Sequence, residues 1–346
     1  MKTISRQPTT VNTGILLINL GTPEATDFWS VRRYLRQFLS DKRVIQARGP
    51  LWWLILNGLI LTRRPRSLGR AYDLIWNADT DESPLRTHTR TQAQKLAARY
   101  ADQPQTTAGI TAETTAKITV DWAMRYGTPS IAEAIDRLSA AGCERLLLFP
   151  LYPHYSAATT GTAMDAVFDA LKTLHAQPAI RTVAPYFDHP AYIAALATSI
   201  RNHHAGLPWI PEVTIASLHG LPVDFIAKGD PYQAQCEASV SLLRDALGLS
   251  ENQLLLTYQS RTSRKEWIGP DTEETLVRLA QSGVKNLSLV APGFAADGVE
   301  TLEELGLRAV QSFTDAGGEN ITLVPCLNAT GTSIDMLETL ADENLW

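Results

Sequence analysis

The amino-acid sequence predicts an α/β protein made of two similar lobes, each a parallel sheet flanked by helices, with a cleft between them. Three observations lead to this fold class. Short apolar runs alternate with longer helical patterns along the chain, which is typical of βαβ units and parallel sheets. Two distant segments resemble each other. The length of 346 residues suits about two domains.

Apolar runs in the first half of the chain predict three strands. The runs are Ile15–Leu20, Ile118–Ala123 and Leu146–Leu151. The first run leads into Gly-Thr-Pro and then into the helical pattern SVRRYLRQFL, as expected where a strand turns into a helix. The segment Ala101–Thr119 is rich in Thr, Ala and Gln, and we expect a surface loop or an edge extension without a function there.

The second half of the chain repeats this pattern. Val213–Leu218 and Leu287–Val290 are apolar runs that predict strands. The segment EAIDRLSAAGCERLLLF, which begins at Glu133, aligns with ETLVRLAQSGVKNLSLV, which begins at Glu274. Both segments have the pattern of a helix, a glycine turn and a strand. More weakly, NLGTP near the N-terminus resembles the later LHGLP.

The repeat predicts a boundary between lobes near residue 180. We expect an N-terminal lobe over residues 1–180, a C-terminal lobe over residues 181–330, and a C-terminal helix over residues 331–346 that packs back on the first lobe. Ligands of open α/β sheets bind beyond the carboxyl ends of the strands. The cleft between two such lobes is therefore the expected site.

Composition and motifs exclude several classes of function. The formal charge of −5 argues against a nucleic-acid binder, which needs a basic face. The sequence has no GxGxxG or GxxxxGKS/T phosphate cradle, and no GxSxG or HExxH motif of common hydrolases. Cys143, Cys236 and Cys326 are far apart, which favours three inert thiols in a reducing compartment over a zinc site.

One unusually apolar segment, LWWLILNGLILTRRPR at Leu51–Arg66, is named here the lip. Its apolar part, Leu51–Leu61, makes roughly 16 Å of helix, whereas a bilayer core is about 30 Å thick and needs about 20 residues. The lip is therefore a buried helix or an interfacial segment, and the arginines that follow favour the second. The N-terminus MKTISRQPTT lacks the apolar core of a signal peptide, so we expect a cytoplasmic protein.

His219 stands at the carboxyl end of a predicted strand and is followed by Gly220, Leu221 and Pro222. In a parallel sheet this position faces the expected cleft. Imidazole can serve as a general base near neutral pH. A lone histidine in such a place is more often structural, so at this point both roles remain open.

A cluster of carboxylates follows the last predicted strand. It contains Asp297, Glu300, Glu303 and Glu304. On a helix Asp297, Glu300 and Glu304 share one face, which could form an oxygen-rich path for a divalent cation. The alternative is a solvated first turn that complements the helix dipole. Because His219 and Glu300 follow strands at equivalent edges of one half, we expect them to face each other.

Large side chains after other strand-like runs are further candidates for binding. Arg125 and Tyr126 follow Ile118–Ala123; arginine binds carboxylates through paired hydrogen bonds, and tyrosine offers a flat face with a hydroxyl. Trp267 and Phe294 lie in later loops, where a planar ligand could stack. Ordinary packing explains each of these residues equally well on its own.

Eight segments resemble the ferrochelatases in sequence and in order, over the chain from about Gly14 to Asn328. They are LLINLGTPE, RQFLSDKRV, AMRYGTPSI, PLYPHYSAATTG, SLHGLP, KGDPYQAQC, YQSRTSRKEWIGP and PGFAADGVETLEEL. Ferrochelatases insert ferrous iron into a porphyrin to make heme, in a cleft between two Rossmann-like lobes. The resemblance implies this chelatase-type fold and this activity, with protoporphyrin IX and Fe2+ as substrates, no resident cofactor and no nucleic-acid partner.

The resemblance also implies roles for the residues after the strands. His219 matches the active-site histidine, which takes pyrrole protons or binds the metal at the porphyrin face. Glu300 matches the glutamate opposite, and Glu304 continues its acidic line, so all three are the expected contacts of the ferrous substrate. Pyrrole protons must leave as Fe2+ enters, and a neutral histidine suits their removal. An incomplete ligand set suits a metal that is passed on.

The resemblance places the porphyrin pocket as well. The residues that line the macrocycle are matched by Arg125, Tyr126, Trp267 and Phe294. The residues that hold the propionates are matched, in a looser alignment, by Arg64, Tyr72 and Ser83. The contacts of these side chains with the porphyrin are implied by the family rather than by their spacing.

The lip matches an apolar flap that ferrochelatases carry at the mouth of the cleft. Its first five residues are expected to cover the porphyrin or to touch the inner face of the cytoplasmic membrane, with part of the run in the core. They are Leu51, Trp52, Trp53, Leu54 and Ile55. Arg63, Arg64 and Arg66 are then expected to meet propionates or anionic lipid headgroups.

The sequence departs from the family pattern at a few positions. Gly298 stands where relatives commonly carry His or Cys, so one ligand near the metal path is missing. Arg308 occupies the third step of the acidic line, where a carboxylate is usual, which puts delivery of metal along that line in doubt. Ala157 replaces the cysteine of some cluster-bearing members, and the chain ends at Trp346 without their cysteine-rich tail. We therefore expect no 2Fe–2S cluster.

Other functions remain as alternatives to the protoporphyrin ferrochelatase. One is a coproporphyrin ferrochelatase or a chelatase for another divalent metal. Another is a tetrapyrrole-binding protein that has lost catalysis, for which Gly298 and Arg308 are the only support. The presence of both His219 and Glu300 argues against the loss of catalysis.

Overall fold

The computed structural model describes residues 11–46, 49–101, 117–261 and 265–346. Two parallel sheets of four strands each form its framework. The first sheet has the order β2-β1-β3-β4, with β1 at Asn12–Gly21, β2 at Lys117–Tyr126, β3 at Arg145–Pro150 and β4 at Ala179–Thr182. The second has the order β6-β5-β7-β8, with β5 at Val213–His219, β6 at Leu254–Gln259, β7 at Asn286–Val290 and β8 at Asn320–Leu323. The α/β class with two similar parallel sheets is thus confirmed.

Helices cover both sheets. The α-helices are α1 Phe28–Ser40, α2 Pro50–Leu54, α3 Leu61–Asp73, α4 Pro84–Ala101, α5 Ile131–Ala140, α6 Thr162–Leu171, α7 Pro190–Ala205, α8 Val223–Ala227, α9 Tyr232–Leu247, α10 Thr272–Gln281, α11 Val310–Asp315 and α12 Gly331–Asn344. Segments of wider π-helix are π1 Ile55–Ile60, π2 Ala157–Gly161 and π3 Glu300–Ala309. A π-helix often marks a functional site, and π3 begins at one of the residues singled out from the sequence.

The strand order places a switch point at the same position in both sheets. In each sheet the chain adds its second strand on one side of the first strand and then crosses to the other side for its third. The switch points therefore lie between β1 and β3 and between β5 and β7. Ligands of such sheets bind in the crevice beyond the carboxyl ends of these two strands.

The internal repeat corresponds to the same pair of elements in each lobe. The segment from Glu133 is α5 followed by β3, and the segment from Glu274 is α10 followed by β7. Gly142 and Gly283 end these helices with φ angles of 76° and 102°. Glycine adopts this left-handed conformation without steric cost, which explains why both copies have a glycine there.

The two sheets share the largest hydrophobic core. Ile15 and Leu17 of β1 lie in it together with Ala216 and Leu218 of β5. The alternate residues of β1 point to the other face and form an outer core with α5 and α6, because successive strand residues point to opposite faces. All three cysteines are buried and unpaired, as expected.

Polar contacts also join the two lobes. Asp230, before α9, accepts hydrogen bonds from Ser156 Oγ at 2.9 Å and from Ala157 N at 2.8 Å. His154 Nε2 lies 2.8 Å from Ser239 Oγ, and burial lowers the pKa of His154 to about 3, so the imidazole is neutral. These bonds explain the motifs PLYPHYSAATTG and KGDPYQAQC, for which the sequence alone predicts no role.

The lip folds into a helix with one buried and one exposed side. Leu56 is 4% exposed and packs in a core with α1 and α3, whereas Leu51, Trp53 and Leu54 are 69%, 61% and 59% exposed. Trp52 is half-buried and packs against the same core as Leu56. Within the described residues no helix is both long and apolar enough to cross a membrane.

The C-terminal helix packs on both lobes, and the structure differs from the sequence expectations in some strands and in the segment after α4. Helix α12 packs on α4 and α7, and Tyr100 Oη of α4 donates to Asp342 at 2.8 Å. The sequence analysis did not predict β4, β6 or β8; β4 and β8 are short edge strands in which no residue is buried. Of the segment expected to be a surface loop or an edge extension, Ala101 ends α4 and Lys117–Thr119 begin β2, an edge strand of the first sheet; residues 102–116 lie outside the described residues.

Candidate active site

His219 is the last residue of β5, and its side chain is exposed. Its Nδ1 lies 2.7 Å from the backbone oxygen of Gly220. A carbonyl oxygen only accepts, so Nδ1–H is the donor. In the neutral imidazole the lone pair is then on Nε2, for which no hydrogen-bond partner is found among the described residues. His219 is therefore oriented as a proton acceptor.

The turn after His219 is tightly packed and positions Trp267. A Cβ atom added to Gly220 would lie 2.7 Å from the backbone oxygen of Gln259 and 3.2 Å from Cε3 of Trp267. Only glycine avoids this clash. Trp267 also pairs with Pro222 in an isolated antiparallel bridge, so its half-buried indole is fixed beside the turn that carries His219.

Glu300 begins π3, beyond the carboxyl end of β7, which is the neighbour of β5 at the switch point. Burial raises the pKa of the Glu300 carboxyl above its ordinary value of 4.5, and the carboxylate of Glu304 raises it further. The backbone N–H of Glu300 and the charge of His219 oppose these effects only in part. Glu300 therefore holds a proton up to a higher pH than an ordinary glutamate.

Glu304 follows Glu300 by four residues and is firmly held. Ser260 donates to its two oxygens, from the backbone N at 2.8 Å and from Oγ at 2.7 Å. Ser260 has a φ of 67°, and in this conformation its backbone N–H and its side chain both reach the same carboxylate. The predicted continuation of the acidic line from Glu300 to Glu304 therefore has a defined geometry.

Arg308 closes the outer end of this line. Its Nε lies 3.0 Å from Oε1 of Glu303, and its Nη2 lies 3.6 Å from Oε2 of Glu304. A guanidinium at this place neutralises part of the negative charge of the line. Arg308, Glu304 and Ser260 border a cavity of about 400 Å3, which Arg64 of α3 also lines.

Asp297 does not belong to the acidic line, so this part of the sequence prediction was wrong. Asp297 is buried and accepts hydrogen bonds from Thr301 Oγ1 at 2.9 Å and from Asn328 Nδ2 at 2.6 Å. The helical spacing rule does not apply to it because Asp297 and Gly298 lie before the helix, which begins at Val299. Asp297 instead fixes the loop that leads into π3.

The first lobe supplies the opposite wall. Burial raises the pKa of the Tyr72 phenol, and the charge of Glu300 raises it further. Burial also raises the pKa of Tyr34, where Tyr72 and then Glu300 add to the effect. Glu300 is thus within electrostatic reach of Tyr34 in α1 and of Tyr72 in α3. The role of Tyr72 toward a propionate stays a prediction.

Arg125 and Tyr126 lie at the end of β2 and are bound within their own lobe. Arg125 Nη2 is 2.5 Å from Oδ2 of Asp41, and the Tyr126 hydroxyl donates to the same atom at 3.0 Å. Thr162 Oγ1 also donates to Asp41. The Tyr126 ring is buried under the Arg125 guanidinium, 4.5 Å from its centroid. Their contact with a macrocycle stays a prediction.

The remaining predicted residues lie in different surroundings. Arg64 is exposed on α3 and faces the cavity beside Glu304. Ser83 is buried, and its Oγ accepts from Arg86 N at 3.3 Å at the start of α4. Phe294 is half-buried and packs on the outer core of the second lobe. Their roles toward a porphyrin stay predictions.

Sequence analysis missed Gln259 and Ser260. Gln259 is the last residue of β6 and Ser260 follows it, and the Nε2 atom of Gln259 donates to the backbone oxygen of Glu300 at 2.7 Å. The run LLLTYQ would have indicated them by the rule that singled out His219, since they too stand at the carboxyl end of a strand.

A preformed metal site is not found. Within residues 11–46, 49–101, 117–261 and 265–346, no three His, Cys, Asp or Glu side chains lie close enough together to hold a metal ion. His219, Glu300 and Glu304 therefore do not form a closed ligand set in this conformation.

Comparison with known proteins decides the family of this chain. The family model for ferrochelatase matches residues 12–345. A ferrochelatase of Rhizobium meliloti is 50% identical over 332 residues, which cover 96% of this chain and 94% of that protein. A ferrochelatase of Rhodopseudomonas palustris is 49% identical over 337 residues, which cover 97% and 94%. The chain belongs to the ferrochelatase family.

Solved structures of chelatases share the ferrochelatase fold of this chain. SirB from Bacillus subtilis with Fe3+ superimposes with a TM-score of 0.54 at 11% identity, over 96% of this chain and 95% of that one. CbiX, described as the terminal enzyme for biosynthesis of siroheme in denitrifying bacteria, has a TM-score of 0.51 at 11% identity, over 96% and 100%. The chelatase-type fold is thus confirmed.

The raised pKa of Glu300 predicts a cost in stability. When a carboxyl has a higher pKa in the folded state than in the unfolded state, the free energy of unfolding of the protein falls as the pH rises from 4.5 through the folded pKa. The loss of stability persists above the folded pKa. The variant Glu300→Gln lacks this cost. We expect its free energy of unfolding, from urea titration, to exceed that of the wild type at pH 7 and to match it below pH 4.5.

A matched control for this comparison is Glu237→Gln, on the exposed side of α9. It should not change the free energy of unfolding at either pH. Equal stability of Glu300→Gln and the wild type at pH 7 would show that the ionised Glu300 carries no such cost.

Proposed function

We propose that this protein inserts Fe2+ into protoporphyrin IX to form protoheme, with release of the two pyrrole protons. The observation that carries the proposal is the pairing of His219 and Glu300 at the switch point of the second sheet, in a chain of the ferrochelatase family. His219 has an unbonded basic nitrogen, Nε2, and the carboxyl of Glu300 has a raised pKa. The reaction needs no resident cofactor, because iron and porphyrin are both substrates.

His219 takes the first of the two pyrrole protons. Gly220 fixes the tautomer by accepting from Nδ1, so Nε2 is ready to accept a proton without prior rearrangement. Transfer makes the imidazole cationic, and Glu300, ionised by the arrival of Fe2+, stabilises this charge. General-base catalysis by a positioned histidine typically contributes about 10²- to 10⁴-fold to the rate.

Glu300 and Glu304 handle the charge of the iron and the second proton. The ferrous ion approaches between His219 and Glu300, with Glu304 behind them. Since a cation lowers the pKa of a neighbouring carboxyl, arrival of Fe2+ drives the proton off Glu300, and departure of iron into the macrocycle lets it accept one again. One imidazole and flexible carboxylate contacts hold the ion only in passing.

The walls of the cleft bind the porphyrin. Trp267 provides a fixed aromatic surface beside His219, and Arg125 with Tyr126 and Phe294 supply further contacts. Arg64 lies on the exposed side of α3 and holds a propionate, while Tyr72 and Ser83 complete the propionate side. Guanidinium and carboxylate form strong paired hydrogen bonds, which makes Arg64 the principal group in this set.

The exposed side of the lip touches the membrane surface transiently. Leu51, Trp53 and Leu54 form an apolar surface, and exposed arginines follow in α3. Apolar side chains next to basic ones suit the boundary between acyl chains and anionic headgroups. The protein is thus proposed to work in the cytoplasm and to meet its apolar substrate at the membrane.

Removal of the proposed base tests the function directly. We expect His219→Ala to lower kcat for Fe2+ insertion about 10²- to 10⁴-fold, because the pyrrole protons lose their acceptor. The measurement is the anaerobic loss of protoporphyrin fluorescence, with coproporphyrin assayed in parallel to establish which porphyrin is used.

The matched control is His175→Ala, an exposed histidine in the first lobe, which should keep wild-type turnover. Wild-type turnover in His219→Ala would rule out the proposed base. No turnover in the wild type with either porphyrin would favour a tetrapyrrole-binding protein.

A change at Arg64 tests porphyrin binding. We expect Arg64→Ala to raise the KM for porphyrin about tenfold, as loss of a charge-assisted pair costs about 1.5–3 kcal/mol, while kcat stays within about twofold. Arg70→Ala, on the exposed part of the same helix, is the control. An unchanged KM in Arg64→Ala would refute the propionate role.

Changes on the lip test the membrane contact. We expect the triple variant Leu51→Ser, Trp53→Ser and Leu54→Ser to bind anionic liposomes at least about tenfold more weakly in sedimentation assays, because each large apolar side chain contributes about 1.5–3 kcal/mol when buried. Ile210→Ser removes an apolar residue of the second lobe that is even more exposed, at 84%, and this variant should bind as the wild type does. Equal binding by all three proteins would exclude the lip as a membrane contact.

A further inference from the structure

Gln259 connects the backbone segments that carry His219 and Glu300. It is the last residue of β6 and is the register partner of His219 in β5. Its backbone oxygen accepts from Gly220 N at 2.7 Å, directly after His219. Its side chain donates from Nε2 to the backbone oxygen of Glu300 at 2.7 Å. Gln259 thus bonds both to the backbone just after β5, which carries His219, and to the start of π3, which carries Glu300.

The orientation of the Gln259 amide is fixed by its partners. The backbone oxygen of Glu300 only accepts, so the NH2 group of Gln259 must face it. The Oε1 atom then faces Ser217 Oγ, which donates to it at 2.8 Å. Gln259 is 3% exposed and Ser217 is fully buried, so water does not compete for these bonds.

A chain of buried hydroxyls supports this arrangement. The hydroxyl of Ser217 donates its only proton to Gln259, so Ser217 Oγ must accept from Thr272 Oγ1, at 2.8 Å. Thr272 Oγ1 in turn accepts from Thr257 Oγ1 at 2.8 Å. All these hydroxyls are buried. The direction of every bond is thereby determined, and a fully satisfied buried network is rigid.

The bonds leave the reactive groups themselves unoccupied. Gln259 contacts the backbone of Glu300 rather than its carboxyl, and Ser260, the next residue, holds the Glu304 carboxylate. Among the described residues, no side chain hydrogen-bonds to the Glu300 carboxyl or to Nε2 of His219. Position is therefore fixed through the backbone, while proton exchange remains possible at both groups.

We propose that Gln259 is a positioning residue that sets the distance between the His219 imidazole and the Glu300 carboxyl, through the hydrogen-bonded chain from Thr272 and Ser217. The proposal rests on the proposed iron insertion. A misplacement of reacting groups by about 1 Å can cost about 100-fold in rate. Porphyrin binding does not depend on this distance, so loss of Gln259 affects kcat rather than KM.

The test uses Gln259→Met, which keeps the approximate volume and removes both hydrogen bonds. We expect kcat for Fe2+ insertion to fall about 10- to 100-fold, with the porphyrin KM and the porphyrin Kd without iron both within about twofold of the wild type. Ser217→Ala leaves Gln259 in place but frees its amide, and should lower kcat in the same direction by a smaller factor.

The control is Thr214→Val, a buried polar residue at the other end of β5. This variant shows the effect of a loss of stability alone, since Thr214 does not contact the candidate active site, and it should keep the wild-type kcat. A kcat of Gln259→Met within twofold of the wild type overturns the positioning role, as does an equal fall in kcat for Thr214→Val. If Gln259→Met does not fold, an unchanged kcat in Ser217→Ala overturns it instead. Absence of turnover in the wild type would contradict the iron insertion itself.

Discussion

The hydrophobic core that the two sheets share is the constraint on which the rest of this structure depends. β1 and β5 both turn apolar side chains into it, and this burial, at about 25 cal/mol per Å2 of apolar surface, fixes one sheet against the other. Polar contacts such as Asp230 with Ser156 then set the alignment. As a result, Glu300 at the end of the second sheet comes within electrostatic reach of Tyr72 in the first lobe.

The chemistry of the site follows from the different burial of His219 and Glu300. His219 is exposed at a strand end, and a single bond to Gly220 determines its tautomer. Glu300 is partly buried at the start of π3, and this burial raises the pKa of its carboxyl. The same parallel sheet therefore brings an imidazole with an unbonded Nε2 within electrostatic reach of a carboxyl whose pKa is raised. The buried network at Gln259 keeps them in place without using either reactive group.

Sequence reasoning was most reliable where a rule depends on local geometry. The strand-end rule led to His219 and Glu300, and the same rule would have led to Gln259 had the run LLLTYQ been recognised as a strand. The helical spacing rule failed for Asp297, because this residue lies in a loop. Arg125 and Tyr126 were singled out as groups at a strand end, yet only the structure shows that Asp41 binds both.

The sequence by itself determined the α/β class, the duplication, the family resemblance and the two residues proposed to exchange protons, since periodicity, glycine turns and motifs are local properties of the chain. Only the tertiary structure decided which side of the lip is exposed, how Arg308 closes the acidic line and which atom of His219 is free. These features depend on contacts between residues far apart in sequence, such as Ser260 with Glu304. The packing of the two sheets creates those contacts, and no local pattern records them.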